Sequence, residues 1–375
     1  MLKVERLDKI SDISASDWNQ CVGADEPFGR HQFLSALEDS QCVQPKTGWM
    51  PQHLVLYDED KIKACCPLYL KSHSYGEYVF DWSWAEAYER AGGRYYPKLQ
   101  CAIPFTPVTG QRLMSCPDAT AKHTETLLKA MIERAKELQI SSLHITFAQK
   151  NEWDLIQDHG LLPRTGHQYH WNNQGYVDFD AFLAHLSSRK RKSIRKERKA
   201  VLEAGIEFQI LNGNTLEAQH WDAFYQFYMD TSGRKWGHPY LNRDFFTLLG
   251  ERLGKSTILI LALKDNRIVA GALNLKGSET LYGRYWGCLE DYKFLHFETC
   301  YYQAIEYAIT HGLKRVEAGA QGQHKIQRGY LPVETYSAHW VADPGFKTAL
   351  VDFLDHDRKV NELEMQELSK FSPYK

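Results

Sequence analysis

The sequence lacks any apolar run long enough to cross a membrane. Its longest apolar runs, such as Ile258–Leu263, are far shorter than the roughly 20 residues of a membrane helix. It also lacks an excess of either charge, because the formal net charge is −2 at pH 7. No overall field therefore draws the chain to nucleic acid or a membrane, and any polyanion must bind to a local patch. The N-terminus has mixed charge and no apolar core, so it does not resemble a secretory signal.

Several chemical motifs are missing as well. The eight cysteines include no Cys-x-x-Cys pair, and the 16 histidines are dispersed. We therefore expect reduced thiols, a cytoplasmic location and no metal site. The chain contains no Gly-x-Ser-x-Gly, P-loop, Gly-x-Gly-x-x-Gly or His-Glu-x-x-His sequence. These absences count against serine hydrolases, P-loop nucleotide hydrolases, dinucleotide-binding enzymes and metalloproteases.

What the chain does contain is an internal similarity. Lys61–Leu70 is similar to Arg267–Lys276, and each run follows an apolar segment and a polar turn. Further along, Glu125–Ala135 aligns without gaps to Glu298–Ala308, and both helical patterns lead into a short strand. Two copies are too few for a solenoid, so the pattern predicts a pair of similar domains. Chance similarity of two hairpin-then-helix patterns is the alternative.

Length and composition agree with two soluble domains. The chain has 375 residues, of which 43% are hydrophobic and 25% charged. We predict an N-terminal domain over residues 1–172 and a C-terminal domain over residues 173–375. The second domain includes a basic helix over residues 187–201 and ends in a helical tail. Strands mixed with helices predict an α/β fold with a mixed sheet in each half.

Two local predictions concern the first half. The aromatic segment Glu77–Trp82 is predicted to be a strand. Residues 97–107 contain several prolines, which exclude a helix because proline lacks the N–H and fixes φ. We expect that second segment to form an edge strand or an ordered loop.

The densest group of chemical side chains lies between Glu317 and Tyr330. Its three glycines predict unusual backbone angles or a close approach to a ligand. Glu317 or His324 could accept a proton from an amine. Lys325 and Arg328 would suit an anionic ligand, and Gln321 is a further candidate for binding substrate. The alternative is a glycine-rich turn whose charges are solvated.

A basic run covers residues 189–199, where eight cations accompany one acid, Glu197. On a helix, Arg191, Arg195 and Arg198 share one face, which could bind a polyanion such as the phosphates of RNA. A solvated helix face is an equally good interpretation. No aromatic residue interrupts the run, so it does not resemble a base-stacking platform.

Two further segments could contribute to a ligand cleft. The first half concentrates aromatic and charged residues, and the substrate-binding candidates there are Asp81, Trp84, Tyr96 and Lys98. An aromatic core is the alternative. In the second half, residues 233–240 interrupt a helical pattern. Their candidates Arg234 and Trp236 would belong either to a lid over a cleft or to a simple connection between helices.

Four features resemble the FemAB-like acyltransferases, and the resemblance extends over nearly the whole chain. They are the basic helix Ser187–Glu197, the hairpin Asn266–Leu273, the helix end Ala308–Leu313, and the closing pattern of Gly319, Lys325 and Arg328.

The resemblance implies tandem GNAT-like acyltransferase domains and transfer of an acyl or aminoacyl group to an amine on a small molecule or peptide. The donor would be an acyl-CoA or an aminoacyl-tRNA, and Tyr330 could protonate the leaving group. The stretch that matches the coenzyme A pyrophosphate loop, Leu289–Phe297, has no glycine, which counts against acetyl-CoA.

Two other hypotheses stand beside the enzyme. One is a non-catalytic tRNA- or RNA-binding protein that uses the basic run 189–199. The other is a degenerate duplicate whose first domain is purely structural, because that half lacks the Lys-x-x-Arg loop.

Overall fold

The structure is a computed structural model that describes residues 1–213, 215–235, 239–319 and 322–375, without the side chains of Ser232, Arg234 and Lys235. Within these ranges the chain divides into two compact units. The first unit comprises residues 1–166 and 334–363, and the second comprises residues 167–333 and 364–375.

The described strands are mostly short and apolar. In chain order they are β1 (Leu2–Leu7), β2 (Trp49–Pro51), β3 (His53–Asp58), β4 (Lys61–Cys66), β5 (Leu68–Lys71), β6 (Lys98–Cys101), β7 (Met114–Ser115), β8 (Ser142–Ala148), β9 (Leu162–Asn172), β10 (Ile206–Asn212), β11 (Thr257–Lys264), β12 (Arg267–Lys276), β13 (Thr280–Cys288), β14 (Arg315–Glu317) and β15 (Leu331–Val341).

The described α-helices are α1 (Ala15–Asn19), α2 (His31–Asp39), α3 (Trp82–Arg90), α4 (Ala121–Glu137), α5 (Lys150–Gln157), α6 (Phe179–His185), α7 (Ser188–Glu203), α8 (Ala218–Lys235), α9 (Arg243–Leu253), α10 (Leu295–Phe297), α11 (Gln303–Thr310) and α12 (Pro344–Ser369). A π-helical turn, Glu298–Tyr302, joins α10 to α11. Several helices begin where a side chain caps the backbone, as Asp178 does for α6 by accepting a hydrogen bond from the Ala181 N–H at 2.7 Å.

The first unit contains two groups of paired strands. One has the order β1-β3-β4-β7, and the other has the order β2-β5-β6-β8-β15. Helix α4 packs its apolar face on this unit's core, where Leu127, Leu128 and Met131 are fully buried with the strand residue Leu143. The helical spacing read from the sequence is therefore confirmed for α4.

The second unit has strands in the order β10-β11-β12-β13-β14-β9. The pairs are antiparallel except β13 and β14, which are parallel. Its core combines aliphatic side chains with aromatic ones such as Trp171, Phe182 and Tyr302. Ile194 and Val201 of α7 are also buried, as the helical pattern of the basic run predicts.

Both units contain a hairpin followed by two parallel strands joined through a helix, with β5, α3 and β7 as additional elements in the first unit. In the first, hairpin β3–β4 is followed by β6, α4 and β8, and β6 runs parallel to β8. In the second, hairpin β11–β12 is followed by β13, the helix over 295–310 and β14, and β13 runs parallel to β14. Parallel strands joined through a helix form the same β-helix-β motif twice. The duplication predicted from the sequence is therefore present in the fold.

One local prediction was wrong, and of the two alternatives predicted for residues 97–107 the ordered loop is present over residues 102–107 but the edge strand is not. The segment predicted as a strand, Glu77–Trp82, is a loop that leads into α3. The chain turns there because the Trp84 and Ala85 N–H groups both donate to the Asp81 carbonyl. After Pro97, the chain forms β6, which lies between β5 and β8 and is not an edge strand. Residues 98–101 contain no proline, so all their N–H groups are free to pair.

The compact units differ from the predicted domains in one respect. The predicted boundary after residue 172 lies close to the change of unit after Gly166. Residues 334–363, however, group with the first unit. The reason is the pairing of β15, whose residues Tyr336 to Val341 lie antiparallel to β8.

One thiol prediction was also wrong. Cys21 and Cys116 form a disulfide in the first unit, whereas the sequence predicted reduced thiols throughout. The spacing of the two residues in the sequence gives no sign of this pairing. The other six cysteines are not in disulfide bonds. None of the helices in the described ranges is both long and apolar enough to span a membrane.

Candidate functional site

Glu317 lies where two parallel strands stop pairing. Strands β13 and β14 pair over three residues, and the last pair joins Tyr282 to Glu317. Beyond this point β13 continues to Cys288 while β14 ends. The carboxyl ends of parallel strands are where open α/β sheets commonly bind ligands. The position of Glu317 therefore agrees with a role in chemistry.

The surroundings of Glu317 are buried and charged. The side chain is 3% exposed, and its Oε1 lies 3.1 Å from Nε of Arg315. Its Oε2 lies 3.7 Å from Nε2 of His170, the residue opposite it in β9. Burial, together with the cations Arg315 and Lys325, lowers the pKa of His170 to about 3. A neutral imidazole thus stands beside the carboxylate.

Lys325 is held by backbone rather than exposed to solvent. Its ammonium donates hydrogen bonds to the carbonyls of Ala318 at 2.6 Å and Gly319 at 2.9 Å. Burial lowers its pKa to about 7. Lys325 therefore fixes the turn after β14, beside Glu317.

The glycines of this segment have the unusual angles that the sequence predicts. Gly319, Gly322 and Gly329 all have positive φ, at 78°, 111° and 93°. Gly322 and Gly329 bracket a 3₁₀ segment, Gln323–Arg328, which turns successive side chains toward different neighbours.

Arg328 has its partners inside the second unit. Its Nη2 lies 3.0 Å from both carboxylate oxygens of Glu197, and its Nη1 donates to the His324 carbonyl at 2.8 Å. Its guanidinium lies 3.4 Å from the ring centre of Phe297. These contacts engage the Arg328 guanidinium, which the sequence predicted to bind an anion.

The other two catalytic candidates differ in exposure. His324 is exposed, and its Nε2 lies 3.0 Å from the hydroxyl of Tyr301. Tyr330 is fully buried, and its hydroxyl donates weakly to the Tyr301 carbonyl at 3.5 Å. Burial raises the pKa of Tyr330 well above its usual value. The position of Tyr330 gives no support to its role as a proton donor.

The first unit brings its four predicted substrate-binding residues together. Lys98 is fully buried and pairs with Asp81, and it donates to Glu77 at 2.7 Å and to Ser74 at 2.9 Å. The Ser74 hydroxyl in turn lies 2.8 Å from the hydroxyl of Tyr96. Trp84 lies in the first turn of α3, beside this network. The residues form a buried polar cluster, which we call the Lys98 cluster.

A second lysine lies in the Lys98 cluster. Lys71 is fully buried, and its ammonium lies 3.8 Å from Glu77 and 3.6 Å from the ring centre of Trp49. Burial lowers the pKa of Lys71 to about 7 and raises that of Glu77 to about 7. Burial would also raise the pKa of Asp81, but the attraction of Lys98 outweighs it and holds that pKa well below its usual value.

Two histidines extend the Lys98 cluster. Nδ1 of His144 lies 2.7 Å from Nδ1 of His339, and Nε2 of His144 lies 2.8 Å from the Ser142 hydroxyl. The Tyr95 hydroxyl connects them to Asp81, to which it donates at 2.7 Å. Oδ1 of Asp81, Oε1 of Glu77, Nε1 of Trp84 and Nε2 of His339 have no hydrogen-bond partner among the described residues. Such buried unpaired atoms call for a ligand or water.

Helix α7 exposes a different set of cations from the predicted one. Arg198 is held by Glu298 at 3.0 Å and Glu306 at 2.6 Å, and Arg195 pairs with Asp180 at 2.9 Å. Arg191 is half-buried. The solvent-facing stripe, which we call the α7 stripe, consists of Arg189, Lys192, Lys196 and Lys199.

The α7 stripe has the geometry of a polyanion-binding surface. Its residues recur at intervals of three and four, so they lie on one face of the helix. In the described part of the chain, only Lys199 of these four has an ion pair, at 3.4 Å from Glu203. The stripe therefore presents three uncompensated cations to solvent.

Three candidates fall on residues without a full description. Gln321 and Trp236 lie outside the described residues, and Arg234 belongs to α8 but its side chain is not described. Among the residues that the structure describes, no group of histidine, cysteine and acidic side chains could hold a metal ion.

Several side chains at these sites were not predicted, and four of them carry ionisable groups in contact with the predicted ones. They are Lys71, His144, His170 and His339. A strand alternation places His170 and Asn172 on one face of β9 and Trp171 on the other, but the sequence alone does not reveal that β9 pairs with β14. Strand register across long sequence separations has no local signal.

A cavity of about 570 Å³ opens in the second unit beside His170. Tyr176 and Gly329 line it with His170, and Ala184 and Tyr374 are among its outer residues. Its volume is in the range of small-molecule sites. The cavity connects solvent to the imidazole that lies beside Glu317.

The chain matches a family model, FemAB-like, described as peptidoglycan biosynthesis/recognition, over residues 9–375. No curated protein matches the chain.

Solved structures share the fold over most of the chain. FemX has a TM-score of 0.57 and 11% identity, and the match covers 92% of this chain and 100% of that one. L-PGS from Bacillus licheniformis has a TM-score of 0.53 and 10% identity, with 85% and 95% covered. A tandem GNAT protein from the clavulanic acid biosynthesis pathway has a TM-score of 0.50 and 11% identity, with 92% and 99% covered. The chain thus has a tandem GNAT-like α/β fold, as predicted.

Proposed function

The chain belongs to the FemAB-like family and is an acyl- or aminoacyltransferase, and on this premise we propose that it transfers an aminoacyl group from aminoacyl-tRNA to an amine with Glu317 as the base. The observation that supports this proposal most directly is the buried carboxylate of Glu317 at the point where β13 and β14 stop pairing. A carboxylate fixed there can accept a proton from an amine that approaches the ends of the strands.

The proposed reaction balances without a further reagent. The amine nitrogen attacks the acyl carbonyl, a C–N bond forms, and the amine gives one proton to Glu317. The tetrahedral intermediate then collapses, the bond from the acyl carbon to the ribose oxygen breaks, and the leaving hydroxyl takes up the proton. His170 would orient Glu317 as a neutral imidazole. Most of the rate would come from holding donor and acceptor in position.

Two features favour tRNA over coenzyme A as the carrier. The α7 stripe offers uncompensated cations to a phosphate backbone. In the segment that would have to bind the coenzyme A pyrophosphate, Glu290 and Asp291 are exposed acids just before the helix that starts at Leu295. Acids at this position would repel a diphosphate from the helix N-terminus.

The acceptor is proposed to bind at the Lys98 cluster of the first unit. Its unpaired carboxylate oxygens on Glu77 and Asp81 would accept hydrogen bonds from polar groups of the acceptor other than the reacting amine. Asp81, Trp84, Tyr96 and Lys98 therefore stay the proposed acceptor residues.

The first test is binding. Thermal unfolding of the whole protein would be followed with total aminoacyl-tRNA and, separately, with acetyl-CoA and longer acyl-CoAs. A ligand that binds the native state raises the midpoint in proportion to RT ln(1 + [L]/Kd). Stabilisation by aminoacyl-tRNA is expected, and stabilisation by acyl-CoA alone would replace the donor in the proposal.

The second test is transfer. Glu317→Gln should lower kcat by about 10²–10⁴-fold, as expected for loss of a positioned base. Glu279→Gln makes the same change in an exposed turn of the same unit and should leave the rate unchanged. Equal activity of the Glu317 and Glu279 variants would remove Glu317 from the mechanism. A protein that binds RNA but transfers nothing would instead be the non-catalytic binder.

A further inference from the structure

Four rings form a partly exposed surface in the second unit, which we call the aromatic wall. They belong to Trp286, His296, Phe297 and His324. The ring centre of His296 lies 5.3 Å from that of Trp286 and 6.1 Å from that of His324. The ring centre of Phe297 lies 5.6 Å from those of His296 and His324. His324 is exposed and the other three rings are partly exposed, whereas the rings of a simple aromatic core would be buried.

The exposed ring of the wall, that of His324, is held in place from two sides. Its Nε2 lies 3.0 Å from the hydroxyl of Tyr301. On another side, a Cβ at Gly322 would lie only 2.5 Å from Cε1 of His324, so glycine leaves room for the ring there. An exposed side chain that is already fixed loses less conformational entropy when a ligand binds to it. The ring of His324 is therefore suited to bind a flat ligand.

Helix α7 is joined to the wall by two ion pairs. Glu197 pairs with Arg328 at 3.0 Å, and the Arg328 guanidinium lies 3.4 Å from the ring centre of Phe297. Arg198 pairs at 3.0 Å with Glu298, which follows Phe297 in the chain. The basic run has no aromatic residue of its own, so the fold brings rings from a distant part of the sequence to it. Cations that follow a phosphate backbone and rings that stack on bases together make a surface for single-stranded RNA.

The wall is also connected to the segment that follows the proposed base. Lys325 follows His324 in the chain, and its ammonium donates to the carbonyls of Ala318 and Gly319. Ala318 in turn follows Glu317. In an aminoacyl-tRNA the ester is carried by the ribose of the 3′-terminal nucleotide, so the position of that nucleotide's base determines where the ester carbon lies.

We propose that the aromatic wall stacks on the unpaired 3′-terminal base of the donor tRNA and so places the aminoacyl ester at Glu317. This inference rests on the proposed function, because it takes aminoacyl-tRNA as the donor. Every base has a π face, so stacking places the end of the RNA without reading its sequence. The two surfaces then divide the binding, since the α7 stripe holds phosphates and the wall holds the 3′ end.

A binding cycle on the whole protein tests the stacking. The probes are an unacylated tRNA and the same tRNA without its 3′-terminal nucleotide. Removal of that nucleotide should weaken binding by about 5- to 150-fold, the range expected for one stacked base. In His324→Ala the intact tRNA should bind nearly as weakly as the shortened one, and shortening should have little further effect, because ring and base form one interaction. Additive losses, or no loss on shortening, would overturn the proposal.

Two further variants separate stacking from charge and from general damage. His324→Phe keeps a ring without ring nitrogens and should restore most of the binding lost in His324→Ala. His311→Ala is the control, since it removes an exposed imidazole from the far end of the helix over 295–310, roughly 20 Å from His296, and should leave binding unchanged. A His324→Phe protein as weak as His324→Ala, or an equal loss in His311→Ala, would overturn the stacking role.

Salt dependence distinguishes the wall from the α7 stripe. Stacking on a base releases no counterions, so His324→Ala should lower the affinity for tRNA but keep the slope of log K against log salt. A smaller slope in His324→Ala would assign the effect to charge and overturn the stacking role.

Fluorescence separates this inference from the proposed function. A tRNA with 2-aminopurine as its 3′-terminal base should lose fluorescence when that base stacks on the wall, and the loss should be absent in His324→Ala. If transfer depends on Glu317 but the fluorescence does not change on binding, the stacking role is overturned and the proposed function stands. If the fluorescence falls in a His324-dependent way and the protein transfers nothing, the wall binds an RNA end, and its role in placing the ester fails with the proposed function.

Discussion

The guanidinium of Arg328 and the carboxylate of Glu197 form an ion pair with Nη2 at 3.0 Å from both oxygens. Their side chains are 8% and 12% exposed. Glu197 is the single acid of the basic run, and the hydroxyl of Tyr302 also donates to it. The pair thereby fixes helix α7 to the glycine-bracketed segment that follows Glu317.

Arg328→Met should destabilise the protein more than it affects substrate binding. It leaves the carboxylate of Glu197 buried without its main partner, which costs about 3–5 kcal/mol. Urea denaturation of the variant measures this loss. The double variant Arg328→Met with Glu197→Leu removes both charges and should recover part of it. A stable Arg328→Met protein with lost donor affinity would return Arg328 to a role in binding.

Many strands and helices could be predicted from the local sequence pattern, but the ion-pair partners of the charged side chains could not. The hairpin predicted at Asn266–Leu273 is present as β11 and β12, because apolar runs separated by polar turns are local signals. Arg198 was predicted to be free for phosphate, yet Glu298 and Glu306 hold it. These acids belong to a helix far along the chain, so only tertiary structure reveals the pairing.

The first unit offers a comparison between two equally buried lysines. Lys98 neutralises Asp81 and Glu77, whereas Lys71 lies on Trp49, donates to the Tyr75 carbonyl at 3.2 Å and has one acid nearby among the described residues, Glu77, at 3.8 Å. Lys98→Met should therefore cost about 3–5 kcal/mol of unfolding free energy. Lys71→Met should cost less than about 1.5 kcal/mol, because methionine keeps the packing and the ammonium is expensive to bury. Equal losses in urea denaturation would contradict the assigned partners.

Lys325 should give stability a specific dependence on pH. Its pKa is lowered from 10.5 to about 7 by burial, so between these values the unfolded chain binds more protons than the native protein. Stability contributed by this group therefore rises as pH increases from about 7 toward 10, at up to about 1.4 kcal/mol per pH unit. In Lys325→Met this contribution should be lost, which leaves the smaller slope due to other groups such as Lys71, whose pKa is also lowered to about 7. Denaturation curves for both proteins across this range compare the slopes, and parallel curves would exclude the buried amine.

The disulfide between Cys21 and Cys116 predicts a thiol count. Under denaturing, non-reducing conditions, titration of the protein should find six free thiols and not eight. Reduction should lower the free energy of unfolding by about 2–5 kcal/mol, because the bond closes a long loop. Cys21→Ala provides the control, since it should lower the thermal midpoint of the oxidised protein but leave it insensitive to reductant. Eight thiols would restore the prediction made from the sequence.

The α7 stripe predicts how RNA binding should respond to salt. Each phosphate contact releases counterions, so the slope of log K against log salt reports the number of contacts. Changing Arg189, Lys192 and Lys196 to alanine should weaken tRNA binding and reduce the size of that slope by about 2–3. The control changes three exposed lysines of α4, namely Lys122, Lys129 and Lys136, and alters the net charge equally.

The comparison of these two triple variants separates a local surface from overall charge. If tRNA binds at the stripe, the α4 variant should keep the slope of the unchanged protein, because its lysines belong to the other unit of the chain. If both variants lose affinity by the same factor, tRNA responds to net charge alone. A third variant, Arg195→Ala, removes a cation already paired with Asp180, and the slope should hardly change. A strong effect of Arg195→Ala would favour the cation face first predicted from the sequence over the stripe seen in the structure.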